Sequence, residues 1–195
     1  MRSLLIENST DAGTVVMARD SEVLAIREVM KAGMLSAAIH ELLVEFGSPT
    51  EIIVGLGPGS YTGIRVAVAT AIGLQTGLGC PTWGCSSVLA YNEVTYHVVG
   101  NARLGTVFLA SIEENRLIRP PELHPVEDFI LLFPGLCHQK IFAVGPIPGI
   151  DHLGTVSPRA EHLLLRRGSF EPSLTPIYLK EPHTTARKSR EPKRS

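Results

Sequence analysis

The sequence has 195 residues, 44% of them hydrophobic and 19% charged, with 18 basic side chains against 19 acidic ones. A chain of that length buries roughly two-thirds of its surface on folding, in one compact unit or two small abutting ones. The net charge of −1 excludes a whole-molecule basic field that would draw the chain to nucleic acid or to an anionic membrane, and the longest apolar stretches, near Val66–Leu74 and Phe129–Phe133, fall far short of the roughly 18 residues of a bilayer span.

The opening MRSLLIENSTD meets an acidic group after a short apolar run, so it reads as a first strand and not as a signal peptide; a cytoplasmic address is expected. Ser3–Glu7, Gly13–Ala18 and Ser21–Arg27 are short and β-rich, parted by the turn signals NSTDAG and RD, as in a meander of strands. From Lys31 to Phe46 apolar residues fall at Met34, Leu35, Ala38, Ile39, Leu42, Leu43 and Phe46, with Gly47 behind them. That is the spacing of an amphipathic helix with a glycine stop. Glu51–Leu56 then reads as a buried strand, GPGSYTG as its loop and Ile64–Leu78 as a second helix.

A short strand is expected at Pro81–Trp83 and a serine-capped helix over Ser86–Asn92. Strands resume at Val94–Val99 and Gly105–Ile112, followed by a helix at Val126–Phe133, a strand at Lys140–Val144 and a helix at Pro158–Arg167, where the proline suits a start and Gly168 a stop. Strands running into helices twice over predict two similar α/β halves, 1–92 and 93–181. Residues 180–195 carry six basic and two acidic groups, so a stretch of +4 follows a body of −5. With no aliphatic periodicity, a basic disordered tail is expected over 182–195, either merely solvated or in weak electrostatic contact with RNA or an acidic partner. The three cysteines, 80, 85 and 137, lack the spacing of a zinc site or a disulfide framework and read as core thiols.

The stretch GLGPGSYTGIR, Gly55–Arg65, holds four glycines and Pro58 between a strand and a helix, which marks a conformationally demanding turn. It has no lysine, so it is not a Walker loop, and Ser60 stands where a dinucleotide fingerprint needs its third glycine. A structural turn, an anion site at a helix N-terminus and a docking element all remain open for Gly57, Pro58, Gly59, Ser60, Tyr61 and Thr62. The helix behind it has hardly a polar face between Arg65 and Gln75, and a helix apolar all round must be covered all round. Small residues recur on two rows, Gly63, Ala67 and Ala71 on one and Ala69, Gly73 and Gly77 on the other. One row can face the sheet while the other needs a lid, supplied by the preceding helix or by a second protein chain. In the second case the candidate partner contacts are Met30, Met34, Leu35, Ala38, Gly63, Arg65, Ala67 and Ala71.

Taken together, GLGPGSYTGIRVAVATAIGL, CPTWGCSSVLAYN, VVGNARLGTVFLA and PIYLKEP resemble the TsaB (YeaZ) family. The resemblance covers residues 3–112 well and 120–180 faintly. It implies an actin-like (ASKHA, ribonuclease H-like) fold of two related α/β lobes, here with the second lobe trimmed, in a protein that does not itself catalyse the reaction. The family role is to bind and stabilise the catalytic paralogue TsaD, with the ATPase TsaE joining, while threonylcarbamoyl is passed to adenosine 37 of tRNAs that read ANN codons. A homodimer is implied when the chain is alone, tRNA is reached only through the complex, and no cofactor is expected. Departures from the family pattern are ENST at Glu7–Thr10 in place of DTST, Lys31 and Ala32 in place of His-Ser, and Asn101-Ala102-Arg103 in place of Asp-Ala-Arg.

The TsaD branch binds its metal through two histidines four apart on one helix, and the seven histidines here, at 40, 97, 124, 138, 152, 162 and 183, include no such pair; no metal is expected. No GxSxG elbow surrounds Ser86 or Ser87. Asp11 reads first as a turn former, and Arg65 and Arg103 as interface charges or surface ion-pair partners alike. Two other classes stay open: a self-sufficient actin-like nucleotide-binding transferase or kinase, and a homodimeric interaction protein outside RNA modification.

Overall fold

Strand β1 (Arg2–Glu7) is buried on both faces, which is why its apolar run is continuous and not alternating. It lies at the centre of a five-stranded sheet with β2 (Gly13–Arg19), β3 (Glu22–Val29), β4 (Glu51–Gly55) and β5 (Thr82–Cys85), in the order β3-β2-β1-β4-β5. The first three strands form an antiparallel meander, and β4 and β5 run parallel to β1. A parallel step needs a crossover, and two helices supply it: α1 (Leu35–Phe46) and α2 (Tyr61–Leu78). The computed structural model describes residues 1–30 and 34–179; Lys31, Ala32 and the expected disordered segment 182–195 lie outside the described residues.

The second sheet repeats the plan. Strands β6 (Tyr96–Asn101), β7 (Thr106–Glu113), β8 (Arg116–Pro125) and β9 (Lys140–Ala143) lie in the order β8-β7-β6-β9, with β9 parallel to β6 across helix α3 (Val126–Leu136). Strand for strand this is the order of β3-β2-β1-β4, so the two lobes are related and the fold is of the actin-like α/β class. The second lobe is the smaller: among the described residues it has no counterpart of α2 or β5.

Helices α1 and α2 share one face of the first sheet, where Leu35, Ile39 and Leu42 of α1 and Ile64, Ala67 and Ala71 of α2 pack on Leu4, Ile6, Ile52 and Val54. Full burial of one such aliphatic side chain stabilises the fold by about 1.5–3 kcal/mol. The opposite face, carrying Leu5, Val16 and Ile53, joins the second lobe in a continuous core with Tyr91, Tyr96, Val98, Phe108 and Phe142. Tyr91 stacks on Phe142 at 4.5 Å between centroids, and Tyr96 meets both edge-on.

Four expectations are corrected. The helix expected over Ser86–Asn92 is only a 3-10 turn, Ser87–Leu89. The carbonyls that would continue it are taken by Arg166, whose Nε donates to Leu89 O at 2.9 Å and whose Nη2 donates to Tyr91 O and Glu93 O at 2.8 Å each. The helix expected at Pro158–Arg167 is a 3-10 segment, Ala160–Ser169, with Arg166 itself out of helical conformation. Strand β8 gives no β signal because its RLIRPPELHP holds two central prolines, tolerated here on an edge strand. Finally, the end of the second expected half returns to the first lobe: Gly84 and Glu171 exchange hydrogen bonds of 2.7 and 2.9 Å, and Ile177 N–H donates to Leu56 O at 2.8 Å.

Candidate functional site

The chemically distinctive residues gather where the ends of β1 and β4 meet the start of α2. The turn after β1 and the glycine loop after β4 are stapled together: Ser60 N–H donates to Ser9 O at 2.7 Å, and Asn8 Nδ2 donates to Gly63 O at 3.0 Å. Gly63 is required by this approach, because a Cβ there would overlap the Asn8 carbonyl oxygen. Gly57 is required by its backbone, at φ +90°. Ser60 caps α2 by accepting from Gly63 N–H at 3.3 Å, as N-cap serines do. On the inner side Ser87 closes the loop, its N–H donating to Gly57 O at 2.8 Å and its Oγ accepting from Gly57 N–H at 2.9 Å. Within GPGSYTG the amides and carbonyls of Gly57, Ser60 and Gly63 are thus committed within the protein.

Glu7 stands in the ENST turn and is fully buried, its carboxylate packed against Gly55. Burial pushes its pKa up; hydrogen bonds from Ser9 and Ser87 pull the other way, including Ser9 N–H on Oε1 at 2.8 Å. The acid points into the molecule. A shallow cavity of about 190 Å³ opens on the outer side of the same turn, lined among others by Asn8, Thr10, Asp11, Met30, Ser60 and Thr62. Its described lining includes one carboxylate and no basic group, a poor match for a phosphate. Among the described residues no cluster of three or more His, Cys, Asp or Glu is placed to hold a metal ion.

The outward side of α2 is the second feature. Leu35, Ala38, Gly63, Ala67 and Ala71, expected to contact a partner, are buried in the first lobe's own core. This corrects the expectation, and the reason is geometric: that row faces β4 and β1. The other row is the free one. Ala69, Gly73 and Gly77 are exposed, nothing lies within 4 Å of where a Cβ would stand on Gly73 or Gly77, and Ile72 beside them is 45% exposed. Met30, Met34 and Arg65 are also exposed. Helix α1 does not cover this row, so α2 has the uncovered apolar side that the all-apolar sequence implied.

Sequence reasoning missed two groups of residues. Arg166 is 2% exposed and ties the lobes together through backbone carbonyls and Asn115; in the sequence it reads as one of two arginines ending a helix. Tyr178 packs on Tyr61 at 5.1 Å, a contact between residues 117 positions apart that no local pattern encodes. Of the expected polar elements, Asn101 accepts the Arg103 N–H at 2.8 Å in the β6–β7 turn, and His40 is exposed on α1.

The family model for TsaD, tRNA N6-adenosine threonylcarbamoyltransferase, matches residues 28–104, which span α1, the glycine loop and α2. Over 158 residues the chain is 28% identical to the tRNA threonylcarbamoyladenosine biosynthesis protein TsaB of Escherichia coli (strain K12), covering 72% of this chain. The chain is similar to TsaB (YeaZ). It spans 66% of the length of that curated relative. Two solved structures share its fold: YeaZ from Pseudomonas aeruginosa, at a TM-score of 0.72 with 24% identity over 91% of this chain and 99% of that one, and a Pseudomonas aeruginosa protein with similarity to peptidase YEAZ, at 0.73 with 24% identity over 92% and 99%. Among the described residues no helix is long and apolar enough to cross a membrane.

Proposed function

We propose that this chain is a non-catalytic subunit in the biosynthesis of threonylcarbamoyladenosine on tRNA, docking a TsaD-type catalytic subunit through the outward side of α2. The observation that carries the reading is the open row Ala69, Gly73 and Gly77 with Ile72. Two glycines inside a helix cost about 1 kcal/mol each relative to alanine, and among the described residues nothing packs into the space they leave. A partner backbone approaching closely would use it. Arg65 lies one turn before Ala69 on the same side of α2, and Met30 and Met34 are exposed nearby in sequence at the start of α1.

The inward-facing Glu7, the occupied space between the lobes and the cavity whose described lining holds no basic group all favour a supporting role over catalysis by this chain alone. The TsaB-like sequence supplies the pathway: transfer of threonylcarbamoyl to adenosine 37 of ANN-reading tRNAs, with a TsaE-type ATPase joining the assembly. Without its partner the chain would cover the same row with a second copy of itself.

Co-expression with the TsaD-type subunit of the same genome tests the reading. The wild-type chain should be retained by a tag on that subunit, and Ala69→Glu and Gly73→Glu, both on open surface, should be lost from it while remaining folded. Failure of the wild-type chain to associate, even with ATP and a TsaE-type protein present, would overturn it.

A further inference from the structure

Helix α3 covers the outer face of the second sheet, where Phe129 is fully buried and Val126, Phe133 and Leu136 pack beside it on Val99, Leu109 and Ala143. A second apolar set on the same helix has no such cover. Leu131 is 81% exposed, and Ile130, Leu132 and Pro134 are exposed around it. At 3.6 residues per turn, Glu127, Leu131, Pro134 and His138 fall within about 60° of one another on the side turned away from Phe129, with His138 in the turn behind the helix. A leucine left in water forgoes the free energy of burial, and a proline inside a helix removes a hydrogen bond. Neither is explained by packing among the described residues.

The two ends of this stripe are unlike. Its start carries two carboxylates, Glu127 and Asp128. Its far end gathers cations: the pKa of His97 is lowered by burial and further by His138 and Arg119, which places both close to it, while Glu113 acts the other way and is paired in register with Arg116. An apolar stripe that is acidic at one end and carries donors at the other complements a second copy of itself turned end for end. We propose that the outward side of α3 is a self-association surface, on which two copies of the chain pack antiparallel about a two-fold axis near the middle of the stripe. Leu131 of each copy then meets Pro134 of the other, and Glu127 of each accepts from His138 of the other. The contact is one short helix wide, so the pairing is weak and depends on concentration. Helices α3 and α2 lie on the outer faces of different sheets with the shared core between them, so a chain paired in this way keeps its α2 row open. The inference does not rest on the docking proposal: it concerns the chain alone, and its test needs no partner.

The test is sedimentation velocity over a wide range of concentration on the full chain carrying Gly73→Glu, which removes any pairing through the α2 row. A monomer–dimer equilibrium is expected. Adding Leu131→Glu should weaken it by about 100-fold or more, because each of two copies loses a leucine from the centre of the contact, while circular dichroism and Tm stay unchanged because that side chain is exposed in the single chain. Adding Glu127→Lys or His138→Glu, each alone, should weaken pairing by about three-fold or more. An equimolar mixture of those two variants should pair more tightly than either by itself, since the exchange restores an opposite charge at one end of the contact and keeps the original pair at the other. A monomer at every concentration, self-association that Leu131→Glu leaves unchanged, or a mixture no tighter than its components would overturn the proposal.

Discussion

Replacing Gly73 and Gly77 by alanine separates the stability of this chain from its proposed docking. Both positions lie on α2 with nothing within 4 Å of the added methyl group, so neither substitution creates a clash in the isolated protein. Alanine is favoured over glycine in a helix interior by about 0.8–1.0 kcal/mol. Gly73 should return nearly all of that, and Gly77 less, because it sits in the last turn before Gly79. The double variant should gain about 1–2 kcal/mol, which for a chain of this size raises Tm by about 3–6 °C. If a partner backbone packs along this row, the same two methyl groups should weaken association with the TsaD-type subunit. Stability is read by urea titration followed by circular dichroism, and association by the co-expression assay. No rise in stability would refute the helix-propensity reasoning, and a rise with undiminished association would remove the docking role from this row. Ala67 or Ala71 cannot serve the same purpose, since both are 0% exposed and a carboxylate there would unfold the lobe before any partner was tested.

Two further outcomes follow from buried charged groups. Burial raises the pKa of Glu7 above its usual 4.5, so below that pH both folded and unfolded chains are protonated and the group costs nothing. As pH rises through 4.5 the unfolded chain ionises first, and stability falls until the folded pKa is passed, by about 1.4 kcal/mol for each pH unit separating the two values. Glu7→Gln, whose Oε1 can still accept from Ser9 N–H, should stabilise the chain at neutral pH and flatten its urea midpoint over the same range; a midpoint that rises with pH in the wild type but not in the variant contradicts this. Arg166→Met should cost about 1–3 kcal/mol or more, the penalty of leaving buried acceptors unsatisfied, because the carbonyls of Leu89, Tyr91 and Glu93 lose their donor. A loss below about 1 kcal/mol in urea unfolding would show that Arg166 does not hold the lobes together.

The elements of the first lobe are legible in the sequence because each carries its own signal: continuous apolar strands, the 3.6-residue spacing of α1, and glycines behind α1 and α2. The glycine loop is legible as a turn and not as a phosphate loop. The face of α2 that meets the sheet is not, since both rows are small and apolar and a helical period cannot choose between them. That choice is made by tertiary contact, through the approach of Asn8 O to Gly63 and the packing of Ile64, Ala67 and Ala71 on Ile52 and Val54. The second lobe is less legible where long-range bonds override local preference. Two expected helices are 3-10 segments there, joined by the Arg166 side chain on the carbonyls of Leu89, Tyr91 and Glu93, and the backbone pairing of Glu171 with Gly84 carries the end of the chain away from the lobe that precedes it.

The reduced second lobe bears directly on where this molecule can act. A ligand held between two lobes needs a crevice between them. Here the two inner sheet faces share one core, filled by Tyr91, Tyr96 and Phe142 and by Val88, Leu89, Ala160 and Leu163 of the 3-10 segments. Arg166 bonds to carbonyls on the connection between the sheets, which ties the lobes to each other. The Glu7 carboxylate is walled in behind Gly55 and Ser87. With the interior closed in this way, groups with unspent binding capacity lie on the outside of the first lobe: the open small-residue row of α2, the exposed Met30 and Met34, and the tyrosine pair at the start of α2. Those are surfaces suited to macromolecules, and they support the proposed docking role.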